Sequence, residues 1–542
     1  MSTPATYDAV IVGGGHNALV AAAYLARAGR SVVVCERRSA FGGAAVSEEP
    51  WPGVDARLSR YSYLVSLLPQ RIVDDLGLRI ELRRRRYSSY TPDPFNPSRG
   101  VLIDTADAAA TASSFTRATG DAGEAERYAS FTRRMLPLAR AVFPTMTEPL
   151  PQRADVQRTV GDDELWDGVV ERPLGEILRR ALATDLARGI ALTDGLIGTF
   201  ARADEPDLRQ NRCFLYHVIG GGTGDWDVPV GGMGRVTGEL ERAAREAGAE
   251  LRGGATVTSV SPDGEVRIGD ESLHGRLVLC GVGPAVLEEL LTAGGAASGA
   301  GAGLGACAGL GAGAGSGAGA GLGAEGAQVK VNMLLHRLPR LHDTLVDPRA
   351  AFAGTFHVNE TMTQLDEAHR QAESGRIPQP LPAEIYCHSL TDPSILGAQL
   401  RASGAQTLTL FGLQVPHRLV ADRDAAAARA ELLAAAQRSL DGVLAEPLSD
   451  CVLETPAGEP CIEARTTADL EEALGMTGGD IFHGPLSWPW LTEPTDDPAS
   501  RWGVATAHPR VLMCGSGARR GGAVSGIGGH NAASAALELL AR

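Results

Sequence analysis

Residues 7–36 read YDAVIVGGGHNALVAAAYLARAGRSVVVCE, and this stretch decides the fold. Tyr7 to Val12 is a short apolar run rich in β-branched residues. That is the pattern of a strand buried on both faces. Gly13-Gly14-Gly15 follows at once, and Asn17 to Gly29 reads as a helix with Gly29 as its stop signal. Ser31 to Cys35 is a second apolar strand, with Glu36 at its end. Strand, glycine turn, helix and strand fit within about 30 residues, the size of one Rossmann-like unit.

The turn has the form Gly13-x-Gly15-x-x-Ala18. The first glycine permits the tight turn, and the second lets backbone approach a pyrophosphate. The third position needs a small residue for helix–strand packing, and Ala18 is small. The helix N-terminus then offers free N–H groups to phosphates. Asn17 fits either a helix cap or a cofactor neighbour, and His16 borders the expected nucleotide. Glu36 stands where a carboxylate accepts from ribose hydroxyls and disfavours a 2′-phosphate. Arg37, Arg38, Gly42 and Gly43 follow, and this glycine pair suits FAD rather than NAD. A second glycine-rich turn, with Gly515, Gly522, Val524 and Gly526, precedes the last predicted helix and gives another backbone surface to a flavin. Gly281-x-Gly283 has no following strand–helix–strand with an acid, so a separate NAD site is not expected.

Outward from these turns the chain divides by pattern. The expected pieces are an FAD-binding part at 1–78 and a mostly helical substrate part at 79–225. The nucleotide fold resumes at 226–293, a second substrate part covers 328–500, and a last FAD-binding part covers 501–542. Between them, 294–327 is an Ala-Gly tract with 15 glycines and no hydrophobic period. Such a tract cannot bury enough side chain to offset its ordering entropy, so it reads as a tolerated insertion. Glycine makes up 67 of 542 residues, about 12% against the usual 7% or so. The tract holds about half of that excess. The informative remainder falls in short clusters at 13–15, 42–43, 231–234 and 515–529.

Charge and composition exclude other classes. The net charge of −15 argues against a nucleic-acid binder. The one basic run, Arg83 to Arg86, fits a solvated strand or helix end, or a local anion contact. No apolar run is long enough to span a membrane, though peripheral contact stays open. The first residues show no secretory signal. Eight scattered cysteines form no C-x-x-C pair, which argues against dithiol chemistry and structural zinc. The expected compartment is the cytoplasm, and no metal site is expected.

GGGHNALVAAAYLARAG with ERR and FGGAA, VPVGGMGR at 228–235, LTDPS at 390–394, GMTGGDIFHG at 475–484 and CGSG…GGAVSGIGGHNAA at 514–533 together resemble the phytoene desaturase-like FAD oxidoreductases. Within them, the chain is most similar to the branch of pyridine nucleotide-disulfide oxidoreductase domain-containing protein 2 and the carotenoid-ketolase-like enzymes. The resemblance implies an α/β (α+β overall) architecture. A Rossmann-like FAD-binding domain would be built from discontinuous segments, beside a mixed substrate domain with a helical part. Val257 and Asn531 complete the expected FAD contacts. His483 is the expected proton-handling or substrate-orienting group, with a packed structural histidine as the alternative. His530 and Arg519 are further catalytic candidates on the flavin side. Trp488 and Trp490 fit either an apolar pocket wall or plain packing. Arg519-Arg520 and the WPWLTEP stretch at 488–494 depart from the family pattern, so the substrate is not inherited.

The expected activity is that of an FAD-dependent dehydrogenase or desaturase moving hydride from a substrate C–H to flavin N5. The substrate would be a small, apolar or partly apolar molecule, and the electron acceptor is left open. A membrane-surface carotenoid desaturase or ketolase, and a flavin-binding interaction protein without turnover, stay open beside it.

Overall fold

Two seven-stranded sheets organise the chain in the computed structural model, which describes residues 5–295 and 323–542. The first sheet runs in the order Val257–Val260, Glu265–Ile268, Glu271–Cys280, Ala5–Val12, Val32–Glu36, Glu250–Gly253, and Val511–Met513 also pairs with Glu271–Cys280. Its centre is parallel: Ala5–Val12 lies between Glu271–Cys280 and Val32–Glu36. Val10, Ile11, Val33 and Val34 are fully buried there, as a sheet covered on both faces requires. The Val257–Val260 and Glu265–Ile268 strands form an antiparallel hairpin at one edge.

The second sheet runs Ile462–Arg465, Val329–Leu335, Gln406–Gly412, Ala383–Tyr386, Thr355–Val358, Tyr87–Pro92, Gly100–Asp104. It is antiparallel except where Thr355–Val358 meets Tyr87–Pro92. Region 79–225 therefore supplies two strands as well as helices. The SSYTP run is polar and ends in proline, so it carries little strand signal of its own. Within the expected mostly helical part, two helices, Leu174–Ala181 and Asp185–Thr193, are separated by a short break. Thr184 caps the second helix by accepting from the Ala187 N–H. The fully buried Glu124 accepts from the Ala183 and Thr184 amides and so satisfies the break.

Much of the expected Ala-Gly insertion, 296–322, lies outside the described residues. Its expected end at Ala327 is corrected by packing. Ala327 is fully buried, the Gly326 N–H donates to Gly478 O at 3.0 Å, and Glu325 pairs with Arg418.

The first helix, His16–Arg27, is held between Met233–Glu246 and the last helix, Ile527–Leu540. Backbone meets backbone at the second crossing. A Cβ on Gly529 would stand 1.9 Å from Asn17 O. Neither neighbour can yield without moving the first helix. Gly529→Ala is expected to cost about 1–3 kcal/mol in chemical denaturation. Gly238→Ala, exposed in a helix with nothing within 4 Å of the added carbon, is expected to gain about 0.5–1 kcal/mol.

Candidate functional site

A cavity of about 890 Å³ has walls from both sheets and the helical layer. That is the upper range for small-molecule and cofactor sites. At one end its lining includes Gly13, Gly14, Gly15, His16, Asn17, Ala18, Glu36, Arg37, Gly43, Val257, Gly515, Gly522 and Val524. The structure thus brings together on one surface most of the residues that the sequence assigned to a cofactor.

This end is shaped by missing side chains. Gly13 has φ +87° and Gly43 φ +60°. A Cβ on Gly14 would stand 2.6 Å from the Phe41 ring, and one on Gly43 3.2 Å from Gly15 Cα. A Cβ on Gly515 would meet Gly281 O at 2.6 Å. Glu36 accepts from the Gly14 N–H at 2.6 Å and the Arg38 N–H at 2.8 Å. An ionised carboxylate has about four acceptor sites, so it can still accept from a ribose.

Three buried polar atoms here have no protein partner: His16 Nε2, Asn17 Oδ1 and His483 Nδ1. Orphaned polar atoms on a cavity wall are what a bound polar ligand satisfies. Asn17 is corrected as a cap: Gly15 holds the N-cap position and no side chain caps the helix. His483 lines the cavity with φ +62°, and Ala523 beside it has φ +51°. Left-handed non-glycine residues are strained and cluster at functional sites. Burial pushes His483 down to about 4, so it is a neutral ring rather than a group titrating near pH 7. His16 is also lowered to about 4, by burial and then by His483.

Other expected site residues lie elsewhere. His530 packs edge-on against Tyr24 and bonds Asn531, outside the cavity lining. Asn531 donates to Met146 O at 3.1 Å, so its work is to tie the last helix to the helical layer. Arg519 donates to Trp488 O at 3.1 Å and does not line the cavity. The buried Arg520 donates to Thr145 O, Glu148 O and Trp502 O, a structural clamp. Trp488 and Trp490 stack at 5.1 Å within a packed core. Gly42 and Gly526 also stand outside the lining. Gly42 fixes its neighbour Gly43 through an N–H bond to Gly14 O at 2.8 Å.

The sequence missed the polar wall formed by Arg85, Asp194, His357, Glu384 and Tyr386. His357 and Glu384 are directly opposite in paired strands. His357 Nδ1 lies 2.6 Å from Glu360 Oε2, which also accepts from Thr193 Oγ1 at 2.7 Å. Tyr386 OH donates to Glu384. Burial raises Glu384 to about 8 and Asp194 to about 6. His357, Glu360 and Glu384 present ligand-capable atoms within 4.8 Å of one another, a spacing that suits a cation although none was expected. The group also satisfies much of its own polarity through the bonds just given. All seven described cysteines are buried and free. Among the described residues no helix is long and apolar enough to cross a membrane.

The comparisons with known proteins agree with this geometry. Residues 11–70 match the family of NAD(P)-binding Rossmann-like domains. A Mycobacterium tuberculosis protein named "Uncharacterized protein Rv0897c" is 53% identical over 99% of this chain and 98% of its own. The rat pyridine nucleotide-disulfide oxidoreductase domain-containing protein 2 is 29% identical, over 97% of this chain and 92% of its own. A structure of a redesigned putrescine oxidase superposes with a TM-score of 0.57 at 16% identity, covering 99% of each chain, and so shares the fold. The chain belongs to the same family as the Mycobacterium tuberculosis protein.

Proposed function

We propose that the chain is an FAD-dependent oxidoreductase that removes hydride from a substrate C–H. One observation carries the reading: the glycine cradle and a wall of titratable side chains line a single cavity. Gly13, Gly15 and Gly43 leave the pyrophosphate room, and the first helix directs its free N–H groups at it. Glu36 would accept from the ribose hydroxyls. Gly515, Gly522 and Val524 offer backbone on the opposite side. When bound, FAD supplies the hydride acceptor. The chain's own part is to hold the substrate against it and exclude water. Neutral His483 and His16 can orient polar groups there without adding charge. Both the likeness to the rat protein, whose name includes an oxidoreductase domain, and the sequence resemblance to phytoene desaturase-like enzymes support this reading. A desaturase outcome is its finer form: loss of hydride and a proton leaves a new double bond in the substrate. The sequence holds no C-x-x-C pair, so the reading includes no dithiol chemistry.

Purified protein supplied with FAD is expected to hold about one flavin per chain, with flavin absorbance near roughly 450 nm. Gly43→Val, which puts a branched side chain at φ +60° beside Gly15, should weaken FAD binding by about ten-fold or more while keeping the circular dichroism of the wild type. A folded wild type that takes up no FAD would refute the proposal.

Glu384 gives a second test. Its carboxyl is raised from 4.5 to about 8 by burial. The stability it contributes is present below its unfolded value and is lost as pH rises toward about 8. Glu384→Gln removes the titration. Between pH 5 and 8.5 the melting temperature of the wild type should therefore fall by about 2 °C or more beyond that of the variant. Parallel melting curves would show that Glu384 is ionised throughout.

A further inference from the structure

Arg83 to Arg86 form the one dense basic run of the chain. Three of the four have carboxylate partners. Arg83 pairs with Glu81 at 2.9 Å, Arg84 with Asp227 at 2.6 Å and Arg86 with Asp104 at 2.8 Å. Arg85 has no carboxylate at ion-pair distance among the described residues, and it lines the cavity. Its Nη1 reaches Thr355 Oγ1 at 3.3 Å, and its guanidinium carbon stands 5.8 Å from the Tyr386 ring centre. Its Nε is buried without a partner.

A buried charge without a counterion is costly, and Arg keeps its charge where Lys would shed it. The titratable groups around Arg85 do not neutralise it. Asp227 is held by Arg84. Glu384 accepts from Tyr386 and is kept largely protonated at neutral pH, raised to about 8 by burial. Burial raises Tyr63 and Tyr386, which stay neutral. Burial lowers His357 and His388, which stay neutral as well. Asp194 also lines the cavity; burial raises it only to about 6, so it is ionised at neutral pH, but it forms no ion pair with Arg85 among the described residues. At Arg85 the wall therefore presents an unpaired positive charge to whatever enters.

We propose that Arg85 anchors a substrate carboxylate, so that the cavity takes an amphipathic carboxylic acid whose apolar body lies against Phe115, Phe131, Phe214 and Phe411. The inference deepens the oxidoreductase reading of the same cavity and rests on it. The guanidinium fork matches a carboxylate in shape and charge. Protonated Glu384 adds no repulsion and can donate. An ammonium group would meet the charge of Arg85 instead. The four phenylalanines line the same cavity and supply the apolar surface.

The test titrates decanoate, 1-decanol and decylamine into FAD-loaded wild type, by calorimetry and by perturbation of the flavin spectrum. Decanoate is expected to bind at least ten-fold more tightly than either of the others. Arg85→Met should lose about ten-fold or more for decanoate and keep its decanol affinity and flavin content. Equal or tighter binding of decylamine or decanol to the wild type overturns the proposal. So does unchanged decanoate binding to R85M, or no decanoate binding to the wild type at millimolar concentration. Should R85M fail to fold, Arg85→Gln decides by the same titrations. It removes the charge and keeps a polar side chain beside Thr355, and unchanged decanoate binding to it overturns the proposal. A wild type that takes up no FAD refutes the oxidoreductase reading. The same three probes, titrated into that protein, still test the anchor separately.

Discussion

Around the N-terminus of the first helix, main chain must touch main chain. A Cβ on Gly529 would fall on Asn17 O, one on Gly515 on Gly281 O, and one on Gly43 on Gly15 Cα. Four distant segments therefore converge at van der Waals distance with no side chain between them. That convergence sets the direction of the helix and keeps its first N–H groups facing the cavity. It also makes the cradle narrow, so a ligand there is held by backbone rather than by adaptable side chains. Binding of this kind loses little conformational entropy, because the groups that bind are already fixed.

Hydrophobic pattern and glycine spacing made the first sheet readable. The runs at 7–12 and 31–35 became Ala5–Val12 and Val32–Glu36. Local signals suffice there because Ala9 to Val12 and Val32 to Glu36 are buried on both faces of the sheet. The polar wall was not readable, for a different reason. His357 and Glu384 are neighbours only through the register of two strands that meet across a helix and a loop. Arg85 has the same letter as its three neighbours, and only the turn of the backbone separates the one that faces inward. His530 shows the converse failure. Its place at the start of a helix beside a glycine-rich turn looked functional, yet the ring faces Tyr24.

The two ends of the cavity solve opposite electrostatic problems. At the cradle, helix geometry and backbone amides present partial positive charge. At the wall, full ionisable groups are gathered out of water. Burial answers by shifting them toward neutrality, as at Glu384 and Glu360. Such groups hold their protons at the pH where free carboxyls have lost them. They can therefore donate as well as accept, which widens the proton chemistry the wall can perform.

The composition of the first sheet also has a consequence for biosynthesis. Val511–Met513 joins a sheet whose central strand is Ala5–Val12, and the cavity wall is completed by Gly515, Ser516, Gly522, Ala523 and Val524. The glycine turn at 13–15 leaves the ribosome about 500 residues earlier. At 5–20 residues per second, that interval is about half a minute to two minutes. From residue 280 onward the nascent chain carries half of the glycine cradle, and the edge of Glu271–Cys280 that Val511–Met513 will cover is still open. The cradle is thus completed only when the last segment of the chain is made.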